Sequence, residues 1–161
     1  MQTQIDVMEQ RIRERFPITL AIELLKSLPG VGDILSIVIN LEIGAIERFS
    51  TAEQLASYAG TVPTVKSSGT RLRYGHLPKQ SNHYLKWAFT EAANALSRYR
   101  NHPSWRHKHV IRLYERVRQQ KGHSKAVGAV ARHLAEATSW MLTKNQTYKE
   151  PVMKKVLPRQ E

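Results

Sequence analysis

The sequence predicts a mainly α, compact helical domain with a helix-hairpin-helix-like turn and one basic loop. Three observations predict it. Apolar residues recur every three or four positions in several segments. Glycine and proline fall between those segments. One stretch, residues 61–78, has no helical period and carries cations instead.

Residues 3–15 read as a charged helix with a sparse apolar stripe at Ile5, Met8 and Ile12. That stripe is too thin to support an isolated fold. A second helix is expected over residues 18–27, stopping before Leu28-Pro29-Gly30-Val31-Gly32. Pro29 disfavours helical geometry at Leu28, and the glycines permit a tight turn. A third helix starts near Asp33, runs through DILSIVINLEIG and ends near Gly44. Ser50 is the expected cap of TAEQLASYAG, with Glu53 as its reciprocal partner and Gly60 as the stop. Residues 61–78 contain Pro63, Gly69, Gly75 and Pro78 and read as loop with room for a short hairpin. Helix returns at residues 80–99, with Leu85, Ala88, Phe89, Ala92, Ala93 and Leu96 inward. Pro103 suits the first turn of the next helix, which runs to about Gln119 before Gly122 breaks it. The last long helix, 124–143, has Val127, Val130, Leu134 and Ala137 on one side. The expected division is a helical linker over 1–17, a helical domain over 18–143 and a basic, mobile tail over 144–161.

The charge narrows the function. There are 25 Lys and Arg against 13 Asp and Glu, a formal net charge of +12. Such an excess repels itself unless a polyanion shares the surface, so nucleic acid is the leading partner. A membrane surface is the runner-up, but no apolar run reaches the length of a spanning helix, and no membrane partner is expected. The charged start carries no apolar signal core, and a cytoplasmic, nucleoid-associated location is expected. With no cysteine, disulfides, thiolate metal sites and cysteine nucleophiles are excluded.

The densest positive stretch is KSSGTRLRYGHLPKQSNHYLKW. Lys66, Arg71, Arg73, Lys79 and Lys86 lie in it, and no Asp or Glu occurs between Glu53 and Glu91. Ser67 and Ser68 are nucleophile candidates only where a base or an electropositive site activates the hydroxyl. Most loop serines are turn residues. Gly69 lets a backbone approach closely, and equally suits a plain turn. Gly30 and Gly32 can expose backbone N–H donors to a phosphate, or can simply join two core helices. Asp33 sits close enough to oppose that phosphate. A second basic region includes Arg112 and Arg116. The seven histidines form no zinc pattern, and no metal ligand is assigned in this chain. His76 and His83 border the basic loop. Trp87, Trp105 and Trp140 fall at helical positions and read as core or partial core rather than as base-stacking platforms.

One ordered combination is more specific than any of its parts. It runs from Pro-Gly-Val-Gly through FSTAEQLASYAGTVP to Ser-Gly, a basic segment and Asn-His-Tyr-Leu. It resembles the C-terminal transposase domain of the bacterial insertion-sequence recombinases related to the Piv DNA invertase. The likeness is strong over about residues 22–98 and weaker to residue 143. The resemblance implies DNA transposition or site-specific recombination. It implies that Ser68, immediately before Gly69, attacks a DNA phosphate and holds the strand as a phosphoserine, with Ser67 as second choice. The basic loop is then the active-site loop, with Lys66, Gly69, Arg71, Arg73, Lys79, Asn82 and Lys86 on DNA. It further implies a separate or missing N-terminal RuvC-like domain holding a divalent metal, magnesium, a structured guide RNA in some members, and a homo-oligomeric assembly.

The sequence departs from that pattern in places. Thr61 stands where the family commonly has Leu, and Gln80-Ser81 replaces a more cationic Arg-Gly. The region before residue 18 is too short for a RuvC-like domain, so activity of the chain alone is not expected. Two other readings share the charge: a non-catalytic DNA-binding remnant or regulator, and a helical protein-assembly module with a basic surface.

Overall fold

The computed structural model describes residues 2–63, 65–68, 71–75 and 80–151. Among the described residues, seven α-helices and one short hairpin follow in the order α1 (Gln2–Arg15), α2 (Leu20–Lys26), α3 (Asp33–Ile43), a 3₁₀ turn (Ile46–Arg48), α4 (Ala52–Tyr58), β1 (Val65–Ser68), β2 (Arg71–Tyr74), α5 (His83–Arg98), α6 (His109–Lys121) and α7 (His123–Lys144). The mainly helical architecture is thus as the apolar periodicity predicts.

The helix ends have identifiable chemical causes. Thr19 caps α2 by accepting from the Ile22 N–H at 3.3 Å. At α4 the cap lies one residue later than the sequence reading placed it. Thr51 Oγ1 accepts from the Gln54 N–H, and Gln54 Oε1 accepts from the Ser50 N–H at 2.8 Å. The cap is therefore Thr51, with Gln54 reaching back to the Ser50 N–H, and not Ser50 with Glu53. Both spacings satisfy the same sequence pattern. Pro103 does not open α6. Residues 103–107 form turns, and α6 begins at His109.

Helix α7 is the centre of the body. It packs against α2, α4, α5, α6 and the 3₁₀ turn. Ala126, Val130, Leu134 and Ala135 are fully buried, and so is Thr138. Small residues on this helix let its neighbours approach closely, while Leu134 and Met141 fill the space between them. Around it the core gathers Leu25, Leu28, Ile39, Ile43, Leu55, Phe89, Leu96 and Ile111. The six inward residues expected on α5 are all buried.

Beyond α7 the chain runs back along the body. Asn145 adopts the left-handed conformation that ends the helix (φ 51°). Tyr148 then donates its N–H to Ser27 Oγ at 2.8 Å, and its hydroxyl meets His133 Nε2 at 3.2 Å. Glu150 accepts the His109 N–H at 2.8 Å and so caps α6. Burial pushes the Tyr148 hydroxyl pKa up, with Glu150 adding to the effect. Burial, then the neighbouring His109, pushes His133 below its ordinary value.

Candidate nucleic-acid interface

The basic loop leaves the body between α4 and α5, and its two roots are clamped together. Gly60 ends α4 at φ +66°, a conformation that favours glycine, and a Cβ there would collide with the Ser81 side chain. Lys86 lies against the same glycine with its aliphatic stem. Across the junction the Asn82 N–H donates to the Tyr58 carbonyl at 2.9 Å. Thr61 is buried and donates both its N–H and its hydroxyl to the Ala56 carbonyl.

Asn82 is the hub of this junction. Its Oδ1 caps α5 by accepting the Leu85 N–H at 2.9 Å. Its Nδ2 donates to Glu42 Oε2 at 2.6 Å and to the Tyr58 hydroxyl at 3.3 Å. Tyr58 also packs on Phe49, with Arg48 lying over both rings at 4.9 Å. Three helices and the 3₁₀ turn therefore fix the direction in which the loop leaves.

The loop itself contains the antiparallel pair β1–β2. Its register pairs Val65 with Tyr74, Lys66 with Arg73, Ser67 with Leu72 and Ser68 with Arg71. Neighbouring positions along a strand alternate between faces. One ribbon face therefore carries positions Lys66, Ser68, Arg71 and Arg73. The other carries Val65, Ser67, Leu72 and Tyr74. Gly69, His76 and Lys79 lie outside the described residues.

The glycine turn between α2 and α3 separates its two glycines. Gly30 has φ +80°, and a Cβ there would meet the Ala92 carbonyl oxygen of α5 at 2.5 Å. It is a close-packing position. Gly32 is exposed at the N-cap of α3, with no side-chain cap and no atom within 4 Å of a built Cβ. Asp33, in the same first turn, pairs with Lys26 at 3.1 Å, and that carboxylate raises the lysine pKa.

Arg112 and Arg116 sit on the exposed side of α6, one turn apart. Glu115, between them in sequence, pairs with Arg100 just beyond the C-terminal end of α5. The loop root lies at the opposite end of that helix. Sixteen helical residues separate the two ends by roughly 24 Å. The two basic regions read from the sequence thus join the body near opposite ends of α5.

Two of the three tryptophans depart from the core or partial-core reading, and Trp105, packed against the core, keeps it. Trp87 and Trp140 are 48% and 46% exposed. Trp105 is half-buried, stacked on Tyr99 and covered by Lys108 at 3.8 Å. Sequence reasoning missed Glu42, Tyr58 and Ser81 at the loop root. Gly60 and the Asn82 cap pattern were the visible signals there, but the partners come from distant helices.

The segment just described is the one that recurs in known proteins. Residues 22–109 match the family model described as Transposase IS116/IS110/IS902 family. This chain belongs to that family. The matched region contains both glycine turns, the hairpin and all of α5. The insertion element IS110 uncharacterized 43.6 kDa protein of Streptomyces coelicolor is 45% identical over 71 residues, covering 44% of this chain and 18% of that protein. The insertion element IS116 uncharacterized 44.8 kDa protein of Streptomyces clavuligerus is 33% identical over 85 residues, covering 53% of this chain and 21% of that protein. The transposase for insertion sequence element IS1111A of Coxiella burnetii is 29% identical over 125 residues, 77% of this chain and 33% of that protein. The chain therefore spans about a fifth to a third of the length of these relatives. Among the described residues no group of three or more His, Asp or Glu is placed to hold a metal ion, and no helix is long and apolar enough to cross a membrane.

Proposed function

We propose that this chain is the serine-bearing, DNA-handling domain of a transposase or site-specific recombinase, with Ser68 as the nucleophile. The hairpin register carries the reading. It puts the Ser68 position on the same ribbon face as Lys66, Arg71 and Arg73, and the Ser67 position on the face of Val65, Leu72 and Tyr74. A phosphodiester under attack gathers negative charge on its non-bridging oxygens. In this reading, cations at positions on the nucleophile's face stabilise that charge.

In this reading a bond forms between Ser68 Oγ and phosphorus as the bond to the departing strand oxygen breaks. The hydroxyl proton passes to a base, and the departing oxygen takes up a proton. The strand is held as a phosphoserine, so its ester is exchanged for another rather than lost to water. Arg71, Arg73 and Lys79 hold phosphate oxygens, and Lys86 adds charge at the loop root. Asn82 acts through position, because its amide is already engaged by α5, Glu42 and Tyr58. The Leu28–Gly32 turn serves as a helix-hairpin-helix-like phosphate contact through Gly32 and the first turn of α3. Gly30 supports that turn from behind. Arg112 and Arg116 track a more distant part of the backbone.

A separate or missing RuvC-like domain would supply a divalent metal, magnesium. A guide RNA, a homo-oligomeric assembly and a nucleoid location complete the proposal. So does the division into a linker over 1–17, a domain over 18–143 and a tail over 144–161.

The test combines the chain with its metal-domain counterpart on a nicked DNA substrate that traps the covalent intermediate. Ser68→Ala is expected to abolish the adduct while leaving noncovalent affinity near wild type, because a neutral hydroxyl contributes little to the electrostatic footprint. Ser67→Ala is expected to be milder. A nucleotide-linked peptide carrying Ser67 or a tyrosine, located by mass spectrometry, overturns the assignment. Normal strand exchange by Ser68→Ala overturns the mechanism.

A further inference from the structure

We propose that Tyr84 and Trp87 form a stacking platform for unpaired nucleobases at the foot of the hairpin. The proposal rests on the nucleic-acid reading and names a contact that reading does not contain.

Both rings stand in solvent on an otherwise well-packed helix. Tyr84 is 66% exposed and Trp87 48%, while Leu85, Ala88 and Phe89 beside them are fully buried. Their three-residue spacing sets them side by side on one face of α5. Neither ring meets another ring or a cation among the described residues. Trp105 is the contrast, with Tyr99 stacked on it and Lys108 over it. Its π-faces are occupied, while among the described residues no ring and no cation lies over Tyr84 or Trp87.

Their position supplies the second argument. They follow Asn82 by two and five residues, where the loop bearing Lys66, Ser68, Arg71 and Arg73 rejoins the body. The sequence has no carboxylate from residue 54 to residue 90. Glu42, beside the root, is bonded by Asn82, and Glu91 lies half-buried one turn along from Trp87. A phosphate chain approaching the hairpin therefore meets little opposing charge. Aromatic rings that follow a cationic segment in the sequence fit a nucleic-acid strand, whose backbone takes the charge and whose bases take the rings. Within a duplex, stacking covers both faces of a base. Only an unpaired base offers a face to Trp87, and strand exchange necessarily creates unpaired bases.

The test uses the 161-residue chain and three probes: oligodeoxythymidylate, oligouridylate of equal length and a blunt DNA duplex. Removing either ring, as Tyr84→Ala or Trp87→Ala, is expected to weaken single-strand binding about five-fold or more. Duplex affinity is expected to stay unchanged. Trp87→Phe should restore most of the single-strand affinity and abolish the fluorescence quench that a single strand produces. The ratio between the thymidylate and uridylate arms tells which backbone the platform prefers. Circular dichroism confirms the fold of each variant. Wild-type affinity of both alanine variants for single strands overturns the platform. So does an equal loss on single strand and duplex, or protein association that falls while single-strand binding holds. If the wild-type chain binds none of the probes, the nucleic-acid reading falls with it. If salt-sensitive duplex binding survives but the rings do not matter, only the platform falls.

Discussion

The turns at Gly30 and Gly60 share a backbone conformation and differ in what they press against. Both glycines have positive φ, +80° and +66°, and both lie against α5 or its approach. Gly30 faces the Ala92 carbonyl in the middle of the helix, an atom fixed by the helix itself. Gly60 faces the Ser81 side chain, which belongs to the loop returning into α5. The first turn therefore locks α2 and α3 to the body. The second sets where the basic loop departs. The comparison teaches that a glycine in a recognisable motif is not thereby a ligand contact. Within Gly30-Val31-Gly32, the first glycine is needed for packing, and only the second faces open space.

The largest effect that separates the two turns should come from Gly30→Val. A β-branched residue at positive φ is strained, and its Cβ meets backbone that cannot step aside. A stability loss of about 2–5 kcal/mol is expected by denaturant unfolding. A loss near zero would break the comparison at its rigid end.

Gly60→Ala should cost less, about 1–3 kcal/mol, because the obstacle is a side chain. Adding Ser81→Gly should return part of that loss while the φ strain remains. An additive double variant would show that Ser81 is not the obstacle.

The smallest stability effect belongs to Gly32→Val, within about 1 kcal/mol, since the position is open and its φ is negative. Its value is in sharpening function. A folded Gly32→Val chain with weaker, salt-sensitive DNA binding supports a phosphate contact at the α3 terminus. Unchanged affinity leaves the whole turn as packing.

Much of the fold was legible because helices announce themselves locally. The inward residues of α5, the break at Gly122 and the stop at Gly60 all follow from short-range periodicity and backbone freedom. The errors were local as well. Ser50 and Thr51 offer equivalent cap spacings, and Pro103 suits a helix start that the chain does not use. Trp87 has a helical spacing compatible with burial, yet stands outside. Periodicity ranks faces, and only neighbouring elements decide which face is covered.

The sequence by itself determined the helical class and the excess of positive charge, and the order of its motifs marked the segment that matches the family model. Composition, charge and the order of motifs need no partner to be read. The tertiary structure decided the rest. Strand register separates Ser68 from Ser67 by face, because a pleat alternates and a string of letters does not say which residue opposes which. Asn82 reads as a DNA contact in sequence and stands in space as the joint between Glu42, Tyr58 and α5. Those partners lie 40 and 24 residues away. Only the packing of α3 and α4 beside α5 brings them within reach of one amide.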